Sequence, residues 1–314
     1  MTEQPEDIQP LVSTPQPPRP FLERYNISPI LFAFVSLLIV FVLYQLVGGV
    51  ITLLVAGSKI TPENVMTHRL LTMIGQIVFI LIPTIVLARL LDERSSSVFP
   101  WRMPRVGESI FALLSLLFLQ EVLQIYMYFQ DRIPLPQGLK DIITPAKQMM
   151  EEMFRVLVSA KSVPELLLVV VVVSITPAIV EELLFRGLVQ SSFERRISPV
   201  RAAIWTGVIF GLFHFNPFAL IPLVVLGCFF GILRMRSMSM AIAMTVHFLN
   251  NGLAVVVSFF QVDDKMVIGA TKGDDINHAA ILAQLLLFSM LFIVSFVSYW
   301  RATNDVHSRT GGDA

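Results

Sequence analysis

The sequence predicts an all-α fold, a polytopic membrane bundle of about eight transmembrane helices. Two observations carry this. Hydrophobic residues make up 55% of the 314 and charged residues only 15%, with a mean hydropathy of +0.72; a soluble domain keeps about 25% charged residues for its wet surface. The apolar residues also gather into runs of bilayer length, which is about 20 residues per spanning helix.

Residues 1–26 are rich in proline and polar groups. They bury too little surface to offset their ordering entropy and are expected to form a disordered tail. They lack the basic start and short apolar centre of a signal peptide, so the run from Ile27 is read as a spanning helix, not a cleaved leader. The multi-pass body is placed at 27–301, with spans near 28–55, 70–91, 108–129, 164–193, 201–216, 218–234, 239–260 and 279–300. A polar tail, 302–314, follows.

Pro177 lacks a backbone donor and bends the fourth run one turn before Glu181 and Glu182. Inside a membrane such a break survives only where protein or a wet cavity receives the freed carbonyls, so this region is expected to face inward. The stretch 138–161 sets Met149, Met150, Met153, Phe154 and Leu157 at helical spacing among Lys147, Glu151, Glu152 and Arg155. It reads either as an amphipathic helix in the interface or as a polar helix packed on the bundle; the interfacial reading is preferred. The fifth and sixth segments are joined by Phe215–Asn216–Pro217–Phe218, room only for a tight turn. They carry GxxxG spacings, Gly207/Gly211 and Gly227/Gly231, which allow close helix approach.

A formal net charge of zero gives no electrostatic footprint for nucleic acid, and the expected partners are the lipid bilayer and a protein or peptide substrate. The single cysteine, Cys228, rules out an intrachain disulfide framework and is read as a small core residue. An even number of spans puts both termini on one side. That side collects Arg19, Arg24, Arg94, Arg102, Arg105, Arg195, Arg196, Arg201, Arg234, Arg236 and Arg301, which predicts cytoplasmic termini.

The polar residues inside the fourth, fifth and seventh segments carry the functional reading. Each ionised side chain near the bilayer centre costs about 2.5–3.5 kcal/mol, so such groups face the bundle interior and mark a site. Glu182 and Arg186 are spaced i, i+4 and can pair on one face, whereas Glu181 is turned about 100° away. Phe210 with His214, and His247 with Asn251, show the same i, i+4 spacing. The Glu182–Arg186 pair reads first as a structural ion pair. Glu181 has no such explanation. Glu121, near Gln120 and Gln124, either lines the same cavity or sits near the interface.

The segments Glu181–Arg186 (EELLFR), Phe210–His214 (FGLFH) and His247–Asn251 (HFLNN) resemble the EExxxR, FxxxH and HxxxN motifs of the CPBP family of intramembrane proteases. That family includes the eukaryotic CAAX prenyl endopeptidase and bacterial Abi-like proteins. The three motifs occur in order over residues 164–260, while residues 1–130 match nothing beyond being helical membrane segments.

The resemblance implies an intramembrane endopeptidase with a cavity open to water and bilayer. It assigns Glu181 as general base, His214 as its partner on the water, and His247 and Asn251 to the oxyanion. Glu182, Arg186 and Phe210 support them, and prenylated proteins are among the implied substrates. Glu181, His214 and His247 would also form a two-histidine, one-carboxylate set for zinc. The chain has no HExxH, and the glutamate mechanism without a metal is the preferred reading. Two other classes compete: a transporter or proton relay, since intramembrane Glu and His also serve ion pathways, and a non-catalytic immunity or scaffold protein.

Overall fold

The computed structural model describes residues 21–261 and 278–306. The regular structure in these residues is helical. The stretch Phe21–Arg24, assigned above to the tail, forms a helical turn whose Leu22 is buried in the core. Residues 1–20 and 307–314 lie outside the described residues.

Nine helices organise the rest. Helix α1 (Pro29–Ala56), α2 (Val65–Leu91) and α3 (Val106–Gln130) are long and apolar enough to span. Helix α4 (Gln137–Val158) is the amphipathic segment. Helices α5 (Val163–Glu194), α7 (Leu220–Ser237), α8 (Met240–Phe259) and α9 (His278–Ala302) are again of spanning character, whereas α6 (Pro199–Phe213) has only 15 residues. The chain is an integral, multi-pass helical membrane protein. Its outward surface agrees: Leu31, Leu38, Leu54, Leu286 and Val294 are exposed, the reverse of a water-facing surface.

The core has two lobes. In the first, Phe32, Leu37 and Val40 of α1 pack with Ile80 and Ala88 of α2, Leu184 and Leu188 of α5 and Phe210 of α6. In the second, Leu116 and Leu119 of α3 meet Phe230 and Leu233 of α7, Ile242 and Val246 of α8 and Tyr299 of α9. Helices α6 and α7 join the lobes, and the glycines explain how. A Cβ on Gly207 would stand 2.3 Å from the backbone nitrogen of Cys228, and one on Gly227 would stand 2.7 Å from the Gly207 carbonyl. Both are inside van der Waals contact, so only glycine permits this approach. Cys228 itself is half-buried.

Among the described residues three spans contain four π-helical turns: Val42–Gly48 in α1, Ile77–Leu81 in α2, and Val170–Ile175 and Leu183–Val189 in α5. Such turns insert a residue into the helical register and re-aim the side chains beyond them. In α5 they flank the glutamates on both sides.

One end of the bundle gathers most of the predicted basic loops. Arg195 pairs with Asp92 at 2.7 Å, Arg102 with Glu108 at 2.7 Å, and Arg105 with Asp305 at 3.5 Å. Arg236 reaches Asn304 Oδ1 at 2.6 Å and lies over the Trp300 ring, so residues 302–306 pack on the body where the sequence reading began a tail. At the other end Arg69, fully buried, donates to the carbonyls of Val156, Leu157 and Ser159 and to Glu165 Oε1 at 2.8 Å. Three carbonyls at the α4 C-terminus are met by one guanidinium. Along α4 itself Leu139, Ile142, Met149, Met153 and Phe154 remain exposed, the face an interfacial helix offers to lipid.

Candidate active site

The site begins with Pro177. Having no N–H, it returns nothing to the carbonyl four residues earlier, that of Val173. Asn251 Nδ2 of α8 donates to that oxygen at 3.2 Å, and Ser174 Oγ donates to the Phe248 carbonyl at 2.6 Å. The break in α5 is thereby stitched to α8. Asn251 is held from behind as well: Asn250 Nδ2 donates to its Oδ1 at 3.1 Å, and Gln120 Nε2 of α3 donates to Asn250 at 3.0 Å. Gln120 thus joins the polar network, while its neighbour Glu121 is half-buried and does not line the cavity described below.

The two adjacent glutamates part company. Glu182 and Arg186 are both fully buried, with Oε1 3.0 Å from Nη1. The same oxygen lies 2.8 Å from His247 Nδ1, and Arg186 Nη2 donates to the Gly227 carbonyl at 2.8 Å. The guanidinium is sandwiched by rings, with its carbon 4.5 Å from the Phe210 centroid and 5.4 Å from that of Phe230. Phe230 in turn stacks on His247 at 5.0 Å. Glu182, Arg186, His247, Phe210 and Phe230 form one packed block between the two core lobes. With Arg186 beside it, Glu182 is the acceptor and His247 Nδ1 carries the proton.

Glu181 instead faces a cavity of about 250 Å³. Its Oε2 stands 3.7 Å from His214 Nε2, and both side chains keep some exposure, 16% and 30%. His214 closes α6, and its Nδ1 lies 2.7 Å from the Phe210 carbonyl. A carbonyl only accepts, so the proton sits on Nδ1 and a neutral His214 presents a lone pair at Nε2. The short helix sets the depth. Its 15 residues rise about 22 Å, close to the roughly 20 Å that separates Glu181 from Glu194 at the end of α5. His214 therefore arrives level with Glu181. Beyond it Phe215 takes a left-handed φ of +49°, and Asn216 Oδ1 accepts from the amides of Phe218 and Ala219 to start α7.

The structure thus brings Glu181 to His214, but it pairs His247 with Glu182. The cavity is lined by Glu181 and His214, and His247 and Asn251 are not among its lining residues. Among the described residues no three His, Cys, Asp or Glu side chains are grouped to hold a metal ion. The remaining polar residues of the cavity wall, Tyr44 and Gln45 of α1, were not singled out in the sequence. A polar pair inside the apolar run 28–55 was the available signal. A second, larger groove of about 630 Å³, lined by Leu37, Leu38 and Phe41 of α1 and by Leu212, Phe213 and Phe215, shares Phe213 with the cavity.

Residues 163–253 match the family model of the type II CAAX prenyl endopeptidase Rce1-like proteins, a span that runs from the start of α5 into α8 and contains all three motifs. Comparison with curated proteins and with solved structures gives no match. That family is one of proteases acting on protein or peptide substrates at the membrane, and it agrees with the resemblance read from Glu181–Arg186, Phe210–His214 and His247–Asn251. The chain is a polytopic membrane protein whose α5–α8 region, residues 163–253, is similar to the type II CAAX prenyl endopeptidase Rce1-like family.

Proposed function

We propose that the protein is an intramembrane endopeptidase that hydrolyses a peptide bond with water activated by Glu181 and His214. The carrying observation is the placement of Glu181 Oε2 and His214 Nε2, 3.7 Å apart on one cavity wall. Both atoms accept hydrogen bonds, so a water between them gives one proton to each and turns its lone pair outward. The carboxylate takes the proton as the oxygen adds to the scissile carbonyl, which is general base catalysis. Expulsion of the amine then uses that same proton.

His247 and Asn251 are assigned to the oxyanion. With Nδ1 turned to Glu182, His247 can donate from Nε2 to the oxyanion only as the imidazolium. Asn251 uses one N–H on Val173 and keeps the other. The mechanism proposed needs no metal. Substrates with a lipidated or membrane-embedded segment fit the apolar groove beside the cavity. The termini are assigned to the cytoplasm from the end where Arg102, Arg105, Arg195 and Arg236 gather. A C-terminal reporter active only in the cytoplasm reads this directly; activity only when exported contradicts it.

The test is cleavage of an internally quenched, prenylated CAAX peptide by the purified full chain in detergent. Glu181→Gln and His214→Ala are expected to remove turnover while peptide binding persists. Chelation is expected to change nothing. Loss of activity on chelation with return on adding zinc overturns the metal-free step.

A further inference from the structure

The activating pair consists of two acceptors, Glu181 and the Nε2 of His214. A peptide carbonyl entering the same cavity needs a donor. The proposed oxyanion groups, His247 and Asn251, do not line it. Among the residues that do, Tyr44 and Gln45 are the remaining polar ones, and both come from α1, outside the family match.

Of the two, Tyr44 is the better held. Gln45 is exposed, whereas Tyr44 is half-buried, with its ring against Gly75 of α2, where a Cβ would stand 3.5 Å from the ring edge. It lines the same cavity wall as Glu181 and His214. A phenol O–H can donate to a ligand in that cavity while its oxygen remains an acceptor. Tyr44 lies within the π-helical turn Val42–Gly48, opposite the second such turn of α5, Leu183–Val189, which supplies Leu184 and Phe185 to the same wall.

We infer that Tyr44 is a further catalytic residue, whose phenol O–H donates a hydrogen bond to the reacting carbonyl oxygen in the Glu181–His214 cavity. As water oxygen bonds to the carbonyl carbon, the C=O electron pair moves to that oxygen and Glu181 keeps the water proton. Tyr44 holds the oxyanion by hydrogen bonding and retains its proton. Collapse re-forms the C=O and breaks the C–N bond, and the amine leaves with the proton from Glu181. This inference rests on the endopeptidase reading, and it extends the site to a helix that none of the three motifs includes.

The experiment compares Tyr44→Phe with Glu181→Gln in the full chain, using the prenylated CAAX peptide and its aldehyde analogue, which hydrates to a tetrahedral mimic. Tyr44→Phe is expected to lower kcat by about 100-fold, as for loss of one oxyanion donor, with KM and thermal unfolding unchanged. Its affinity for the aldehyde should fall by a similar factor and its affinity for the corresponding alcohol should hold, a split that a packing defect would not produce. Wild-type kcat and aldehyde affinity in Tyr44→Phe, beside an inactive Glu181→Gln, overturn the role of Tyr44 and leave the endopeptidase reading standing. Activity in Glu181→Gln overturns both. Where the wild type leaves the peptide uncut, the aldehyde affinities alone decide, and equal values for wild type and Tyr44→Phe count against Tyr44.

Discussion

Replacing Arg186 by Leu tests the division of labour between the two glutamates. The substitution leaves Glu182 fully buried with His247 alone, and removes the side-chain donor to the Gly227 carbonyl. Removing one member of a buried ion pair costs about 3–5 kcal/mol because the other charge stays desolvated, so a loss of about 4 kcal/mol is expected. The double variant Glu182→Gln/Arg186→Leu removes the stranded charge, while the amide oxygen still accepts from His247 Nδ1. It should recover about 2 kcal/mol of that loss. Unfolding in mixed micelles by titration with sodium dodecyl sulfate, followed through the three tryptophans, measures both. A loss below about 1 kcal/mol for the single variant, or a double variant weaker than the single, would refute the claim that Glu182 is held as a buried anion.

The α6–α7 junction and α4 give two more. Gly207→Ala places a Cβ 2.3 Å from backbone and should abolish stable folding, whereas Gly231→Ala, at 3.0 Å from the Ala203 carbonyl, should be milder; yields of monodisperse protein compare them, and equal yields contradict the reading. Arg69→Met should raise hydrogen exchange at amides 150–165 by releasing the α4 end from α2 and α5, with little change in α7. Unchanged protection there would mean that other contacts hold the helix.

The sequence made some of this legible because the relevant contacts are local. Glu182 with Arg186 and Phe210 with His214 are one helical turn apart, and both meet as their spacing predicts. The glycine pairs and the consequence of Pro177 were likewise readable from chain chemistry. What was hidden depends on how helices are rotated against one another. His247 lies one turn from Asn251 on α8, but nothing in that spacing says whether it meets Glu181 or Glu182, which differ by a rotation of about 100°. The π-helical turns compound this, since each inserted residue turns the following face by a comparable angle. Tyr44 and Gln45 were missed for another reason. An uncharged polar pair in a long apolar run costs little on insertion, so it leaves no mark as strong as a carboxylate does.

The length of α6 shows how a feature that first looks like a defect serves the site. Fifteen residues are too few to cross a hydrocarbon layer of about 30 Å unaided. The helix ends where Phe215 reverses the chain, and so delivers His214 to the level of Glu181.

The most direct measurement is single-turnover cleavage of the quenched peptide by Glu181→Gln, with its unfolding followed in parallel. Glu181 is partly exposed to a cavity and its Oε2 accepts no hydrogen bond, so the amide should fold as stably as the carboxylate and cut nothing. Cleavage at the wild-type rate by the folded variant would remove Glu181 from the chemistry, and the account with it.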